Sequence, residues 1–210
     1  VRKLLTEFIG TFFLVLTIGL TVTAGSQFAP LAIGTALMVM VYLGGHVSGA
    51  HYNPAVSLAL VIRGALPSSE YAGYAISQIA GATAAALVVN FVTGQTFAPA
   101  PGASVSPMAA LLVEILFTFA LALVVLNVAT SKKTVGHSYY GLAIGMTVMV
   151  GAFAGGGISG GAFNPAVGIG PTIVNALIGG GSWSALWLYL VGPLVGGALA
   201  AAVFRIQETE

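Results

Sequence analysis

Apolar residues run along this chain in long blocks, with few polar positions inside them. Six blocks approach the ~20 residues that a helix needs to cross the hydrocarbon core of a bilayer: 4–24, 31–46, 71–92, 108–129, 140–157 and 183–204. Each is expected to be a spanning helix. Two further apolar stretches, 54–62 and 165–178, are too short to cross. Both begin at a proline preceded by asparagine, and that pairing marks a helix start: Pro fits the first helical position, and Asn is a good N-cap. These two are expected to be half-helices that begin inside the membrane and run back out.

The two short stretches also carry an internal repeat. Ser48-Gly49-Ala50-His51-Tyr52-Asn53-Pro54-Ala55-Val56 reads against Ser159-Gly160-Gly161-Ala162-Phe163-Asn164-Pro165-Ala166-Val167, a shift of 111 positions from 53 to 164. The same shift lays Leu31-Ala32-Ile33-Gly34 on Leu142-Ala143-Ile144-Gly145. Two matches in one register indicate a duplication. The expected architecture is an all-α membrane protein with six transmembrane helices, two re-entrant half-helices and an inverted internal repeat. It forms a single channel domain over 1–210, the first repeat about 1–92 and the second about 107–206. Three spans per repeat invert one half relative to the other and bring the half-helices together at the bilayer midplane.

Composition agrees with this layout. Charged residues make up 5% of the chain, apolar residues 58%, and mean hydropathy is +1.02, too few charges to cover a soluble surface. There is no cysteine, which excludes disulfides and thiolate metal sites. The first apolar run follows Arg2 and Lys3 directly and reads as a span, since it is too long for a signal peptide and lacks a clear cleavage site. All six basic residues, Arg2, Lys3, Arg63, Lys132, Lys133 and Arg205, fall on one face of the expected topology. By the positive-inside bias that face is cytoplasmic, with both termini on it.

Irregular backbone at membrane depth persists only where protein or a watery cavity satisfies its polar groups. The stretches 49–52 and 155–163 are expected to be of this kind, with the backbone of Gly49, Ala50, His51, Gly160 and Ala162 lining a path. At its centre Asn53, Pro54, Ala55, Asn164, Pro165 and Ala166 form a midplane where half-helix N-termini direct partial positive charge and the Asn side chains offer N–H donors. That arrangement suits a small neutral polar molecule and opposes cations. The bland alternative makes both Asn residues mere helix caps. Glu7 and Glu114 occupy corresponding places in the first span of each half. They are expected to accept hydrogen bonds from the re-entrant loops, with a proton relay as the sharper alternative. His46 and His51 lie on different turns with no acid or cysteine beside them and do not compose a metal site. Gly73, Gly81, Ala82, Gly192, Gly196 and Gly197 suit close helix contact. Nothing in the sequence resembles a nucleophile with its base, a phosphate-binding loop or a nucleic-acid surface, so no enzyme, cofactor or nucleic-acid role is expected.

Taken together, Glu7-Phe8-Ile9-Gly10-Thr11, the two Asn-Pro-Ala segments, Gln78-Ile79-Ala80-Gly81, Glu114, Gly170-Pro171 and Val191-Gly192-Pro193 resemble the aquaporin and aquaglyceroporin (major intrinsic protein) family over nearly the whole chain. The resemblance implies a right-handed bundle, usually a homotetramer with one pore per subunit. It implies a plasma-membrane location and passive passage of water or small uncharged solutes. It also implies a selectivity constriction, at Ile33, Ala152, Gly161 and Val167. The family usually carries Arg where this chain has Val167, and strict water channels tend to carry Phe, His and often Cys at the other three places. Val there is also seen in some vacuolar-type plant members, similar to channels passing urea and ammonia besides water. Tyr189-Leu190 departs as well, because many water channels have Trp at the second place. Glycerol, urea, ammonia and hydrogen peroxide are therefore expected solutes. The alternatives are an ion-conducting member of the same fold and a junction or scaffold protein with a closed pore.

Overall fold

The computed structural model of the chain describes residues 1–208. It is all-helical: α1 (Arg2–Thr23), α2 (Ala29–Ser48), α3 (Pro54–Arg63), α4 (Ser68–Thr93), α5 (Pro107–Thr130), α6 (Tyr140–Ser159), α7 (Pro165–Ile178) and α8 (Leu186–Glu208). Among the described residues six of these are long and apolar enough to cross a bilayer, and α3 and α7 are the short pair. Asn53 and Asn164 sit extended before their prolines, with φ of −156° and −160°. Each side chain accepts from the amide two residues on, Ala55 at 2.8 Å and Ala166 at 2.9 Å, so each caps an orphan donor.

Two expected boundaries move. The second irregular stretch is Gly160–Phe163 alone, because 155–159 continues α6 as helix and ends with Gly160 N–H donating to Gly156 O at 3.0 Å. Three successive glycines weaken a helix in water, but in a membrane every amide must still be paired within the chain. The last span starts at Leu186 rather than at 183. Trp183 belongs to a turn in which its carbonyl accepts from Leu186 N–H at 3.0 Å.

The packing is paired. α1 lies against α4 as α5 lies against α8, and α1 lies against α2 as α5 lies against α6. The half-helices are exchanged: α3 packs on α8 and α7 on α4. At the centre α2 crosses α6 where Gly34 meets Gly145. A Cβ on Gly145 would stand 2.4 Å from Gly34 O, and one on Gly34 would stand 2.6 Å from Gly145 O. The repeated Leu-Ala-Ile-Gly tetrapeptide thus marks the closest approach of these two helices, where small residues let backbones touch. Gly81 against Phe8 O and Gly196 against Ile115 O make the same contact for the two outer pairs, with added Cβ atoms at 2.4 and 2.5 Å.

Candidate functional site

Two loops precede the half-helices, and their backbones are bent tightly. Ala50, Tyr52 and Phe163 hold φ of +51°, +50° and +50°, a conformation costing on the order of 1–3 kcal/mol for a residue with a side chain. A buried carboxylate faces each bend. Glu7, fully buried, accepts from Ser48 Oγ (2.6 Å), His51 N (3.0 Å), Tyr52 N (2.7 Å) and Gln78 Nε2 (2.8 Å). Glu114, also fully buried, accepts from Ser159 Oγ (2.7 Å), Ala162 N (3.1 Å) and Phe163 N (2.7 Å). Consecutive amides in such a bend converge on one point, which suits an anionic acceptor.

The side chains before each Asn act as wedges. Tyr52 fills the notches at Gly10 and Gly44 and donates its hydroxyl to Met40 O at 2.9 Å. Phe163 fills the notch at Gly151 and Gly155. Tyr74 and Tyr189, which the sequence argument did not assign to the loops, donate to Ser48 O (2.7 Å) and Ser159 O (2.6 Å). Their only sequence signal is a shared place on the third span of each half.

The two half-helix starts meet. Asn53 Nδ2 donates to Phe163 O at 2.9 Å, and Asn164 Nδ2 donates to Tyr52 O at 2.8 Å. Each amide group has two N–H donors, so one remains on each Asn after the cross-link. Both residues are nearly buried, 3% and 4% exposed, and both line one cavity of about 430 Å³. The same side chains therefore cap the half-helices and line the cavity at once.

That cavity extends from Val22, Ala29 and Pro30 past Ile33, Ala152, Gly161 and Val167 to the Asn pair. Ala50, His51, Gly160 and Ala162 line it too, whereas Gly49 lines a second cavity of about 510 Å³ beyond the loops, together with Lys3, His46 and Tyr140. Glu7 and Glu114 line neither cavity. Beside Val167, the wall is completed by Phe97, Ala98, Pro99 and Ala100 from the long loop between α4 and α5. This contribution was missed in the sequence, although an uncharged Ala-Pro run in a loop was its signal. Phe28 and Phe153, large side chains that could have filled space beside Val167, line neither cavity and are mostly exposed.

A bundle of six spans enclosing a polar-centred cavity, with half-helix starts facing each other, defines a membrane channel. The model of the family described as major intrinsic protein matches residues 1–204. Aquaporin NIP1-4 of Oryza sativa subsp. japonica is 39% identical, over 98% of this chain and 76% of its own length. Glycerol uptake facilitator protein-like 6 of Lactiplantibacillus plantarum is also 39% identical, over 100% of this chain and 99% of its own. The X-ray structure of the aquaglyceroporin from Plasmodium falciparum superposes with a TM-score of 0.87, covering 97% of this chain and 94% of that one at 24% identity, a likeness of fold. The chain belongs to the major intrinsic protein family. It is an integral multi-pass membrane protein, and its family is one of channels rather than enzymes.

Proposed function

We propose that this channel passes water and small uncharged solutes, such as glycerol, urea, ammonia or hydrogen peroxide, passively through a pore centred on Asn53-Pro54-Ala55 and Asn164-Pro165-Ala166. The observation that carries the reading is the single cavity running past Ile33, Ala152, Gly161 and Val167 to the two Asn side chains. On this reading the free N–H of each Asn and the loop carbonyls exchange hydrogen bonds with a solute as it sheds its water neighbours. The N-terminal ends of α3 and α7 oppose cations at the same level. Glu7 and Glu114 hold the loops from behind. Their withdrawal from both cavities supports this over a proton relay.

Ile33, Ala152, Gly161 and Val167 form the outer constriction, and it is a wide one, because two of the four contribute no more than a methyl group. The two halves are inverted repeats of one channel domain, a reading supported by the paired packing and the exchanged half-helices. Arg205 donates to Ile62 O, Arg63 stacks 4.9 Å over Phe204 and Lys3 pairs with Glu70 at 3.0 Å. These contacts gather basic residues at one end of the bundle and support a cytoplasmic face carrying both termini; the plasma membrane is proposed as its location by family likeness. A homotetramer is the assembly proposed by family likeness.

Stopped-flow light scattering on proteoliposomes tests the proposal. Under a sucrose gradient water efflux should exceed that of protein-free vesicles, and under urea or glycerol gradients the vesicles should reswell faster. Water efflux at the protein-free rate would refute the channel reading. A wild type that passes only water would refute the wide constriction. Conductance in planar bilayers is the signature of the ion-conducting alternative, which the loss of Arg favours.

A further inference from the structure

On the reading above, selection by size falls at the outer ring, yet the cavity is not divided there. It is divided further in. The outer cavity of about 430 Å³ and the inner one of about 510 Å³ share three lining residues, His51, Val125 and Ile144. The helices agree on this level independently. On α2 the lining passes from Leu37, outer, to Val41, inner. On α5 it passes from Leu121, outer, through Val125 to Val128, inner, and on α6 from Val148, outer, through Ile144 to Tyr140, inner. One to two helical turns on each of three elements cross the same boundary. Ile144 lies eight residues from Ala152 on α6, about 12 Å along the axis at 1.5 Å per residue.

The throat has one polar wall and two apolar ones. His51 Nδ1 lies 3.0 Å from Ser57 Oγ, its ring sits 4.8 Å from that of Tyr74, and Gln78 Nε2 donates to the same Ser57 Oγ at 3.1 Å. The imidazole is therefore fixed, and its Nε2 has no hydrogen-bond partner among the described residues. The other half carries no counterpart. At the shift of 111, Ala162 stands for His51 and Gly168 for Ser57. Four residues after the matched tyrosine, Pro193 stands where Gln78 does. A polar group held by two neighbours on only one side of the midplane is a device of the inner half alone.

We propose that His51, Val125 and Ile144 form a second, inner constriction that limits solute size in this channel. Val125 and Ile144 set the aperture, and His51 Nε2 offers the one side-chain hydrogen bond with which a passing solute replaces water. The inference rests on the channel reading, and its test separates the two. Water and glycerol permeabilities are compared in proteoliposomes for the wild type, Ile144→Ala, Val125→Ala and the outer-ring variant Ile33→Ala, each per assembled molecule. The glycerol-to-water ratio should rise by about tenfold in Ile144→Ala, the discrimination that a methylene carries at a close-fitting site. It should rise in Val125→Ala as well, and by less in Ile33→Ala. Val125→Ala, a smaller truncation on another helix, keeps the test decisive if Ile144→Ala assembles poorly. A larger response at Ile33 than at either throat residue overturns the inner constriction while leaving the channel intact. A wild type passing neither water nor glycerol overturns both.

Discussion

Replacing Glu7 or Glu114 probes what keeps the re-entrant loops in place. In Glu7→Ala the amides of His51 and Tyr52 lose their acceptor in a buried site. Each costs about 1–3 kcal/mol, so about 2–6 kcal/mol for the two. The positive φ of Tyr52 is then no longer over-determined, and relaxation of the loop follows. Against a total stability of about 5–15 kcal/mol, that is a large fraction. Gln at these positions distinguishes the two halves. Glu7→Gln can keep its oxygen toward Ser48 and His51; its new amide loses the Tyr52 bond but turns toward Gln78, whose Oε1 is buried without a partner. Gln78 can flip to accept it. Glu114 accepts from no such side chain, so Glu114→Gln loses the Phe163 bond as Glu7→Gln loses that of Tyr52, and in addition leaves its own N–H group unpaired, about 1–3 kcal/mol more than Glu7→Gln. Thermal unfolding in detergent should therefore rank wild type first, then Glu7→Gln, then Glu114→Gln, with both Ala variants last. Ala variants that melt with the wild type would refute the anchoring role, and Glu114→Gln outlasting Glu7→Gln would refute the Gln78 argument.

Other outcomes follow from single contacts. Asn53→Leu or Asn164→Leu should lower water permeability per assembled molecule, and unchanged flux in both would sink the midplane assignment. Val167→Arg should cut urea and glycerol flux more than water flux, because a bulky fork of donors narrows the ring and favours water; equal losses for all three solutes would count against it. Gly145→Val places a methine 2.4 Å from Gly34 O and should abolish folded protein on gel filtration, whereas Gly156→Ala, one turn from the end of α6 and facing open space, should fold. With no cysteine in the chain, micromolar mercuric salts should leave water flux unchanged; reversible block would implicate His51.

What was legible in the sequence were features with a period or a motif behind them. The six spans follow from block length, and the half-helix starts follow from Asn-Pro. The matched glycine at 34 and 145 was legible as part of the repeat, whereas its place at the crossing of α2 and α6 comes from the fold. Contacts between elements far apart in the chain were harder to read. Val125 and Ile144 look like any lipid-facing valine or isoleucine, and only the rotation of α5 and α6 turns them inward. The loop residues 97–100 reach the cavity because the chain folds back, with Gly102 N–H donating to Ile158 O at 3.0 Å. The glycine run at 155–157 misled because local propensity is measured in water, where an unpaired amide has an alternative partner.

The exchange of half-helices between the two halves bears on how the chain is made. When α1 to α4 have entered the membrane, α3 has neither α8 to lie against nor the Phe163 carbonyl to receive the Asn53 amide. Its first turn is an unfinished surface in a medium that offers no substitute partner. The early half must therefore wait, with the start of α3 held by Glu7, Tyr74 and Gln78 of its own half, until α7 and α8 of the second half arrive. Although the sequence is written twice, each copy lends its half-helix to the other. Assembly of the channel therefore awaits the second copy of the repeat.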